Sequence, residues 1–340
     1  MTPVQVGVAE VGVAEVQAVE VDGRLERLAA AALWADADDA ALVVRRLAAP
    51  PPDREWTVLA VPAANVPAAN VPAANAAGGE PAGPLGAGPL GAGLPGAGRG
   101  DVGLRGAVFA SIGADGAGHV DLIAVDPAAR GRGIGRALVT AAEEWMRARG
   151  ASEARFAGNP PCYAWPGIDV RYTPAACLAE SLGYERYRVA WNMTAGLPAR
   201  YDGAEHEADL ARLDAAGVTV AAAPAGERSD VVTFVREQWN DAWAWEAEHA
   251  TGLHYAARDG EILGFAAWGA RPLWFGPMGT AEAARGLGVG RVLLRRCLAE
   301  QAAAGLTSAQ IGWVGPLRFY SRAVAARAER VFWLYRRRLC

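Results

Sequence analysis

A Gly-rich segment of ten residues occurs twice in this chain, and this repeat restricts the possible folds more than any other feature. The segment RGRGIGRALV begins at Arg130, and RGLGVGRVLL begins at Arg285, 155 positions later. The same offset relates Gly150 to Gly305, each of which follows a helical pattern opened by the repeated segment. A constant offset from turn to helix end indicates internal duplication, so the sequence predicts two copies of one domain.

The apolar pattern around each segment predicts strands and helices in the same order. In the first copy, strands are expected over GLRGAVFASIG, GHVDLIAVDP, SEARFAG and YERYRVAWNM, with helices from the Gly-rich turn to about Arg149 and over TPAACLAESLG. Thr173 is expected to cap the second helix. In the second copy, a hairpin turns at Asp259-Gly260. The strands LWFGPMG, SAQIGWV and RVFWLYRRRL follow, with helices to about Ala304 and over GPLRFYSRAVAA between them. This order is typical of an α/β protein.

Three segments repeat every five residues: VGVAEVGVAEV, VPAANVPAANVPAAN and PLGAGPLGAGLPGAG. A period of five fits neither a helix nor a strand, so the last two are interpreted as one long insertion between elements. The expected division is an N-terminal domain over 1–197 with a low-complexity insertion at about 62–100, a linker over 198–210 and a C-terminal domain over 211–340.

The composition excludes several classes of function. The 340 residues carry a formal net charge of −4, and all 33 cationic residues are arginine, so the strongly basic surface of a general nucleic-acid binder is not expected. The four cysteines form no C-x-x-C pair, which predicts reduced thiols and no metal site. Acidic residues interrupt the first 20 positions, and no apolar run reaches the length of a membrane span. We therefore expect a cytoplasmic protein.

The repeated turn has the residue types of an anion-binding loop. Glycines let the backbone approach a ligand closely, and the first N–H groups of the following helix point into the same hollow. A pyrophosphate suits such a hollow. The spacing G-x-G-x-G does not match the G-x-G-x-x-G of dinucleotide folds, and a chain without lysine cannot form a nucleotide P-loop. A tight turn that binds nothing is the remaining alternative.

The arrangement R-G-x-G-[IV]-G-R-x-L after a strand resembles the coenzyme A loop of the GNAT superfamily of N-acetyltransferases. Both copies match the usual signature [QR]-x-x-G-x-[GA], and Val-Asp-Pro precedes the first copy. The resemblance covers about 101–195 and 211–340. It implies two tandem GNAT-like domains, each with a mixed, mostly antiparallel sheet flanked by helices. This tandem order is similar to that of mycothiol synthases, in architecture only.

The resemblance also implies acetyl-coenzyme A as co-substrate. In this superfamily the loop amides hold the pyrophosphate, and splayed strands beside the loop hold the pantetheine and the thioester. The residues expected at these places are Val125, Arg130, Gly131, Arg132, Gly133, Ile134 and Gly135 in the first copy, and Arg285, Gly286, Leu287, Gly288, Val289 and Gly290 in the second.

Two residues are expected to transfer protons. The superfamily commonly uses a tyrosine on the helix after the fifth strand to protonate the departing thiolate, and Tyr320 occupies that position. The first copy has Leu178 there, and Tyr163 or Tyr172 could substitute. Many members carry a carboxylate on the strand before the loop, and Asp121 is the candidate in the first copy.

The second copy is the preferred catalytic half, because it contains Tyr320 and a concentration of tryptophans within VVTFVREQWNDAWAWEAEHATG. Its candidate bases, none of them placed by a motif, are Glu246, Glu248, His249 and His254. The tryptophans suit a bulky or sugar-like acceptor, or they seal the two copies together as core. The expected function is a monomeric N-acetyltransferase acting on a small amine. A non-catalytic acyl-coenzyme A sensor or scaffold, and an enzyme that modifies protein N-termini, are the alternatives.

Overall fold

The computed structural model describes residues 15–63, 103–197, 203–271 and 274–340, which form a mixed α/β structure. The strands of the first half are β1 (Gln17–Ala18), β2 (Trp56–Pro62), β3 (Leu104–Ile112), β4 (Gly118–Val125), β5 (Glu153–Phe156), β6 (Ile168–Asp169) and β7 (Glu185–Gly196). Its helices are α1 (Gly23–Ala32), α2 (Ala40–Leu47), α3 (Ile134–Arg147) and α4 (Thr173–Ser181).

The second half begins with a helix and then repeats the order of the elements described for the first half. Its strands are β8 (Thr219–Ala222), β9 (Gly252–Arg258), β10 (Glu261–Trp268), β11 (Trp274–Thr280), β12 (Ser308–Ile311) and β13 (Arg327–Arg338). Its helices are α5 (Ala204–Ala215), α6 (Ser229–Gln238), α7 (Asp241–Glu248), α8 (Val289–Ala303) and α9 (Leu317–Val324). The helix α5 precedes β8, and the described part of the first half has no helix before β1.

The described strands join in one 13-stranded sheet that runs through both halves. Its order is β1-β2-β3-β4-β5-β13-β7-β12-β11-β10-β9-β8, with β6 attached to β13. The last strands of the two halves are therefore exchanged, because β13 pairs with β5 of the first half and β7 pairs with β12 of the second. β7 and β13 also pair with each other in antiparallel orientation. The two halves thus share one hydrogen-bonded framework.

Helices cover both faces of this sheet, and alternating strand residues contribute to two separate cores. In β2, Val58 and Ala60 belong to the core under α1 and α2, whereas Leu59 and Val61 belong to the core under α3. This alternation follows from the two-residue period of a strand. In β10, Phe265 likewise packs in the core with α6 and α7, and the next residue belongs to the core with α8.

The helices that follow the Gly-rich turns begin and end at glycines, as predicted. Gly133 and Gly288 precede α3 and α8 with φ of 79° and 97°, in the left-handed region. Gly150 and Gly305 follow these helices with φ of 80° and 91°. Glycine favours such angles, because it has no β-carbon to clash with the backbone.

Other predicted boundaries agree with the structure only in part. Asp259 and Gly260 both have positive φ, so the β9–β10 hairpin turns where expected. Thr173 is the first residue of α4 and not its cap, since its hydroxyl donates to the carbonyl of Val170. The predicted linker 198–210 is helical from Ala204, where α5 begins. The insertion expected at about 62–100 lies mostly outside the described residues, as does the repeat near the N-terminus.

Candidate active site

The Gly-rich turn of the first half lies between β4 and α3. Gly131 and Gly133 have φ of 75° and 79°. A Cβ at Gly135 would lie 3.0 Å from the Cδ2 atom of Leu178, so the turn is closely packed against α4. The first N–H groups of α3 have no acceptor inside the helix, and the helix dipole adds partial positive charge there. The turn therefore has the geometry of an anion site.

A cavity of about 470 Å³ lies beside this turn. It forms because the parallel strands β4 and β5 pair only at Gly118–Ala154 and His119–Arg155 and then separate. The end of α1, the start of α4 and the segment around Trp165 contribute its other walls. Of the residues predicted to hold the cofactor in the first half, those that line the cavity are Val125, Arg130, Gly131, Gly133, Ile134 and Gly135. Arg132 is exposed and lies outside that lining.

Two arginines of this turn are anchored to neighbouring elements. Arg130 donates from Nη2 to the carbonyl of Ala32, 3.1 Å away at the end of α1, and from Nε to the carbonyl of Val125. Arg136 donates to the hydroxyl of Ser181 in α4. Both arginines line the cavity, so their positive charges lie next to the N-terminus of α3.

Asp121 reaches the cavity because β4 contains an extra residue. Val120 pairs with Ala110 and Leu122 with Phe109, so Asp121 is a bulge residue without a partner in β3. Its Oδ1 atom is buried and has no hydrogen-bond partner. Burial raises the pKa of Asp121 to about 7, although a hydrogen bond with Ser111 and the charge of Arg54 oppose this shift. The residue as a whole is half-buried and lines the cavity.

Among the residues that line the cavity, Tyr172 is the one whose side chain has a hydroxyl group. Its hydroxyl donates to Asp36 at 2.7 Å and accepts from the N–H of Ala35. Burial and the adjacent Asp36 raise the pKa of Tyr172, so it keeps its proton at neutral pH. Arg330 of β13 pairs with Asp36 and with Asp169, each at 2.9 Å. The exchanged strand of the second half therefore supports a cavity of the first half.

The equivalent turn of the second half is covered by side chains of α5. Gly286 and Gly288 keep positive φ, as in the first half. A Cβ at Gly288, however, would lie 2.8 Å from Oδ1 of Asp209 and 3.3 Å from Nη1 of Arg212. The other residues predicted there are divided between the surface and the core, since Arg285 is exposed, whereas Leu287 and Val289 contact the core under α8.

The strands of the second half also separate, and an arginine lies at the point of separation. β11 and β12 pair only at Trp274–Gln310 and Phe275–Ile311. A Cβ at Gly312 would lie 3.2 Å from Nη2 of Arg271. The guanidinium of Arg271 is buried, donates to Glu246 at 2.7 Å and stacks over the ring of Tyr163 from the first half. Side chains from both halves thus pack around Arg271 at this point.

Tyr320 and the candidate bases of the second half do not meet in one site. Tyr320 is 7% exposed and packs edge-to-face on Phe275 and Phe319, and burial raises its pKa. His254 pairs with Glu300 at 2.9 Å. The other three candidates lie elsewhere, because Glu246 pairs with Arg271, His249 stacks on Trp245, and Glu248 is exposed.

The tryptophans of α7, and Trp239 directly after α6, take part in packing. Trp239 and Trp243 stack on each other, and both contact Phe265 in the core. Trp245 lies under the guanidinium of Arg46 in α2, at 4.5 Å from the ring centroid. Trp239 and Trp243 thus pack inside the second half, and Trp245 contacts the first half, so these contacts favour packing over an acceptor wall.

The acetyltransferase (GNAT) family profile matches this chain twice, over residues 85–163 and 225–327, which together make up more than half of it. The chain belongs to the GNAT family. The two matches confirm the duplication predicted from the Gly-rich segments and the tandem α/β architecture. GNAT proteins generally use acetyl-coenzyme A, and the family supports an acyltransferase activity.

Individual relatives are consistent with this assignment. The chain is 32% identical over 198 residues to a mycothiol acetyltransferase of Thermomonospora curvata, a match covering 53% of this chain and 59% of that protein. Among solved structures, a tandem GNAT protein from the clavulanic acid biosynthesis pathway superimposes with a TM-score of 0.62 at 16% identity, covering 96% and 99% of the two chains. A GCN5-related N-acetyltransferase from Sphaerobacter thermophilus gives 0.59 at 19% identity, covering 95% of each.

A larger protein contains the same fold as one region. The glucosamine N-acetyltransferase region of a fungal multi-domain β-N-acetylglucosaminidase superimposes with a TM-score of 0.67 at 16% identity, covering 95% of this chain and 38% of that one. At these identities the structural likenesses show the fold alone.

The described residues contain neither a metal-ligand cluster nor a membrane-spanning helix. Across 15–63, 103–197, 203–271 and 274–340, no three His, Cys, Asp or Glu side chains are grouped so that they could hold a metal ion. None of the helices in these ranges is long and apolar enough to cross a membrane.

Proposed function

We propose that this protein is an N-acetyltransferase that uses acetyl-coenzyme A and that its reaction takes place in the first half. The observation that carries the proposal is the single cavity that joins the Gly-rich turn to the carboxyl group of Asp121. The corresponding turn of the second half is covered by Asp209 and Arg212. The preference that the sequence suggested for the second half, based on Tyr320, is therefore replaced by a preference for the first.

The first half has a cradle that fits coenzyme A. The N–H groups at the start of α3, together with Arg130 and Arg136, would hold the phosphates. The gap between β4 and β5, with Val125 on one side, would hold the pantetheine arm. When bound, acetyl-coenzyme A supplies an acetyl group activated as a thioester.

Asp121 is proposed as the general base. An amine acceptor must lose a proton to attack a thioester, and a base works best when its pKa lies near the working pH. The pKa of Asp121 is raised to about 7 by burial. At neutral pH a large fraction of the molecules therefore carries the ionised carboxylate, which is the form that can accept a proton. Asp121 itself lines the cavity, beside the Gly-rich turn.

Tyr172 is proposed as the proton donor to the departing thiolate. Its raised pKa keeps the hydroxyl protonated, and its contacts with Asp36 and Ala35 hold the ring at the cavity wall. The single hydroxyl proton is donated to Asp36 in this structure, so in the reaction it must turn from Asp36 to the thiolate as the thiolate leaves. It takes the role that the sequence assigned to Tyr320 in the second half. Tyr163, the other substitute considered, lies under Arg271 and does not line this cavity.

The acceptor is proposed to be a small amine, and the protein to work as a cytoplasmic monomer. The tryptophans that suggested a sugar-like acceptor pack in the core, so they lend no support to a bulky substrate. The similarity to a mycothiol acetyltransferase makes an amine precursor of mycothiol a first compound for an acceptor panel.

Release of free coenzyme A thiol across a panel of small amines tests this function. We expect acceptor-dependent release by the wild type, strongly reduced release by Asp121→Asn and nearly unchanged release by Tyr320→Phe. Loss of activity in Tyr320→Phe alone would indicate that the reaction takes place in the second half. Binding of coenzyme A without release for any amine would favour the sensor or scaffold alternative.

A further inference from the structure

The two Gly-rich turns have the same backbone but different surroundings. In the first half, Arg136 reaches Ser181 and the hollow above Gly133 opens into the cavity. In the second half, the arginine at the same repeat position is Arg291, and it donates to Asp209 of α5. The helix α5 precedes β8, the first strand of the second half.

Asp209 lies where the second turn would hold an anion. Its side chain is 1% exposed, and its Oδ1 atom would be 2.8 Å from a Cβ at Gly288. Arg291 binds both carboxylate oxygens, from Nε at 2.7 Å and from Nη2 at 2.5 Å. Arg212 donates at 2.8 Å and Arg295 at 3.3 Å. A carboxylate at the N-terminus of α8 is also favoured by the helix dipole.

The charges around this carboxylate leave an excess of positive charge. Three arginines face Asp209, and Glu205, which is 3.5 Å from Arg295, is the other acid in contact with them. Burial alone would raise the pKa of Asp209, but hydrogen bonds from Arg291 and Arg212 lower it overall, so the group is ionised. A more highly charged anion in its place would find the same three guanidinium groups beside the start of α8.

We propose that Asp209 is the built-in anion of the second Gly-rich turn, and that removing its carboxylate opens a site for a pyrophosphate group there. The wild-type chain then binds one coenzyme A, in the first half, and the second turn is a self-occupied phosphate site. The count of coenzyme A molecules rests on the proposed function. The opening of a pyrophosphate site does not, because it follows from the contacts of Asp209 alone.

Inorganic pyrophosphate is the probe, and Gly133→Val is introduced throughout to block the first turn. We expect Asp209→Ala to bind pyrophosphate at least about tenfold more tightly than its Gly133→Val parent, as measured by calorimetry. Asp214→Ala removes an exposed acid from the same helix and should leave pyrophosphate binding as in the parent. Adding Gly288→Val to Asp209→Ala should abolish the gain, because a side chain would fill the new hollow.

Two outcomes would overturn the proposal. One is equal pyrophosphate affinity for the Gly133→Val parent and for its Asp209→Ala derivative. The other is a wild-type chain that binds two coenzyme A molecules, one of them lost in Gly288→Val. If Asp209→Ala does not fold, Asp209→Asn keeps the size and removes the charge, and the same comparison applies. Wild type that binds no coenzyme A contradicts the proposed function, while the pyrophosphate comparison still decides the role of Asp209.

Discussion

At the scale of single residues, the candidate base depends on one extra residue in one strand. Asp121 alternates with apolar neighbours in GHVDLIAV, a pattern that does not tell whether it faces solvent or the protein. The bulge between Val120 and Leu122 removes it from the ladder with β3, and the separation of β4 and β5 leaves a cavity on its side. Bulges often direct a side chain into an active site in this way.

The rate of acetyl transfer should depend on the protonation of Asp121. A base accepts a proton only when ionised, so kcat/KM should rise with pH through about 7, the pKa of Asp121. Asp121→Asn should lower turnover by about 100- to 10,000-fold and remove this limb of the pH profile. Steady-state kinetics measured from about pH 5.5 to about pH 9 tests both effects. A wild-type limb that persists in Asp121→Asn would assign the titration to another group.

Asp121 should also affect the stability of the fold. Its contribution should fall as the pH rises, whereas the rate of acetyl transfer should increase. The folded pKa of Asp121 is about 7 and its ordinary value is 3.8, so the unfolded chain releases this proton first as the pH rises. The contribution of Asp121 to stability therefore falls between these two values. Thermal unfolding should show Asp121→Asn gaining stability relative to wild type over this window and no further above it. A constant difference in Tm across the window would contradict the raised pKa.

At the scale of elements, β13 carries a residue of the second half into the support of the cavity. Arg330 pairs with Asp36 and Asp169, and Asp36 accepts a hydrogen bond from the Tyr172 hydroxyl. Arg330→Gln removes one cation from two buried carboxylates and leaves them Arg171, which is 2.8 Å from Asp169 and 3.7 Å from Asp36, so it should destabilise the fold by about 2 kcal/mol. Denaturant unfolding measures this loss. Arg338→Gln, at an exposed position of the same strand, should have little effect. If Arg330→Gln and Arg338→Gln lose the same free energy of unfolding, the ion pairs of Arg330 make no specific contribution to stability.

The hairpin formed by β2 and β3 should fold without the segment between its strands. Pro62 pairs with Leu104, and the N–H of Ala63 donates to the carbonyl of Gly103 at 3.0 Å, so the two ends already lie side by side. Replacing residues 64–102 by a short Gly-containing turn should leave the Tm and soluble yield close to those of wild type. Loss of soluble protein would show that the replaced residues belong to the core.

At the scale of the whole molecule, the two halves cannot complete their sheets independently. Without β13, the first half would expose one edge of β5, and without β7 the second half would expose one edge of β12. Exposed strand edges promote aggregation. The exchange also buries contacts such as Arg271 on Tyr163, which join the halves away from the sheet.

Separate expression of the halves tests this dependence. Residues 1–197 and 203–340, each expressed alone, should be insoluble or unfolded. Co-expression should yield a complex that purifies through a tag on either half, because each supplies the strand that the other lacks. A soluble, cooperatively folding, monomeric first half would contradict a requirement for the exchanged strand.

The duplication, the order of elements and the position of the Gly-rich turns could all be predicted from the sequence, because they depend on local patterns. Constant spacing, two-residue alternation in strands and glycines at helix ends are all readable without distant contacts. The resemblance of the turn also identified the family, which the two profile matches then showed.

Which turn opens into a cavity, and which strands pair across the halves, became clear only from the folded structure. The two turns are nearly identical in sequence, and what separates them is Asp209 of α5, 79 positions before Gly288. The support of Tyr172 by Arg330 joins residues from opposite halves through Asp36. Such contacts depend on how distant elements pack and on which strand completes each sheet. The local pattern of a single sequence does not indicate either of these.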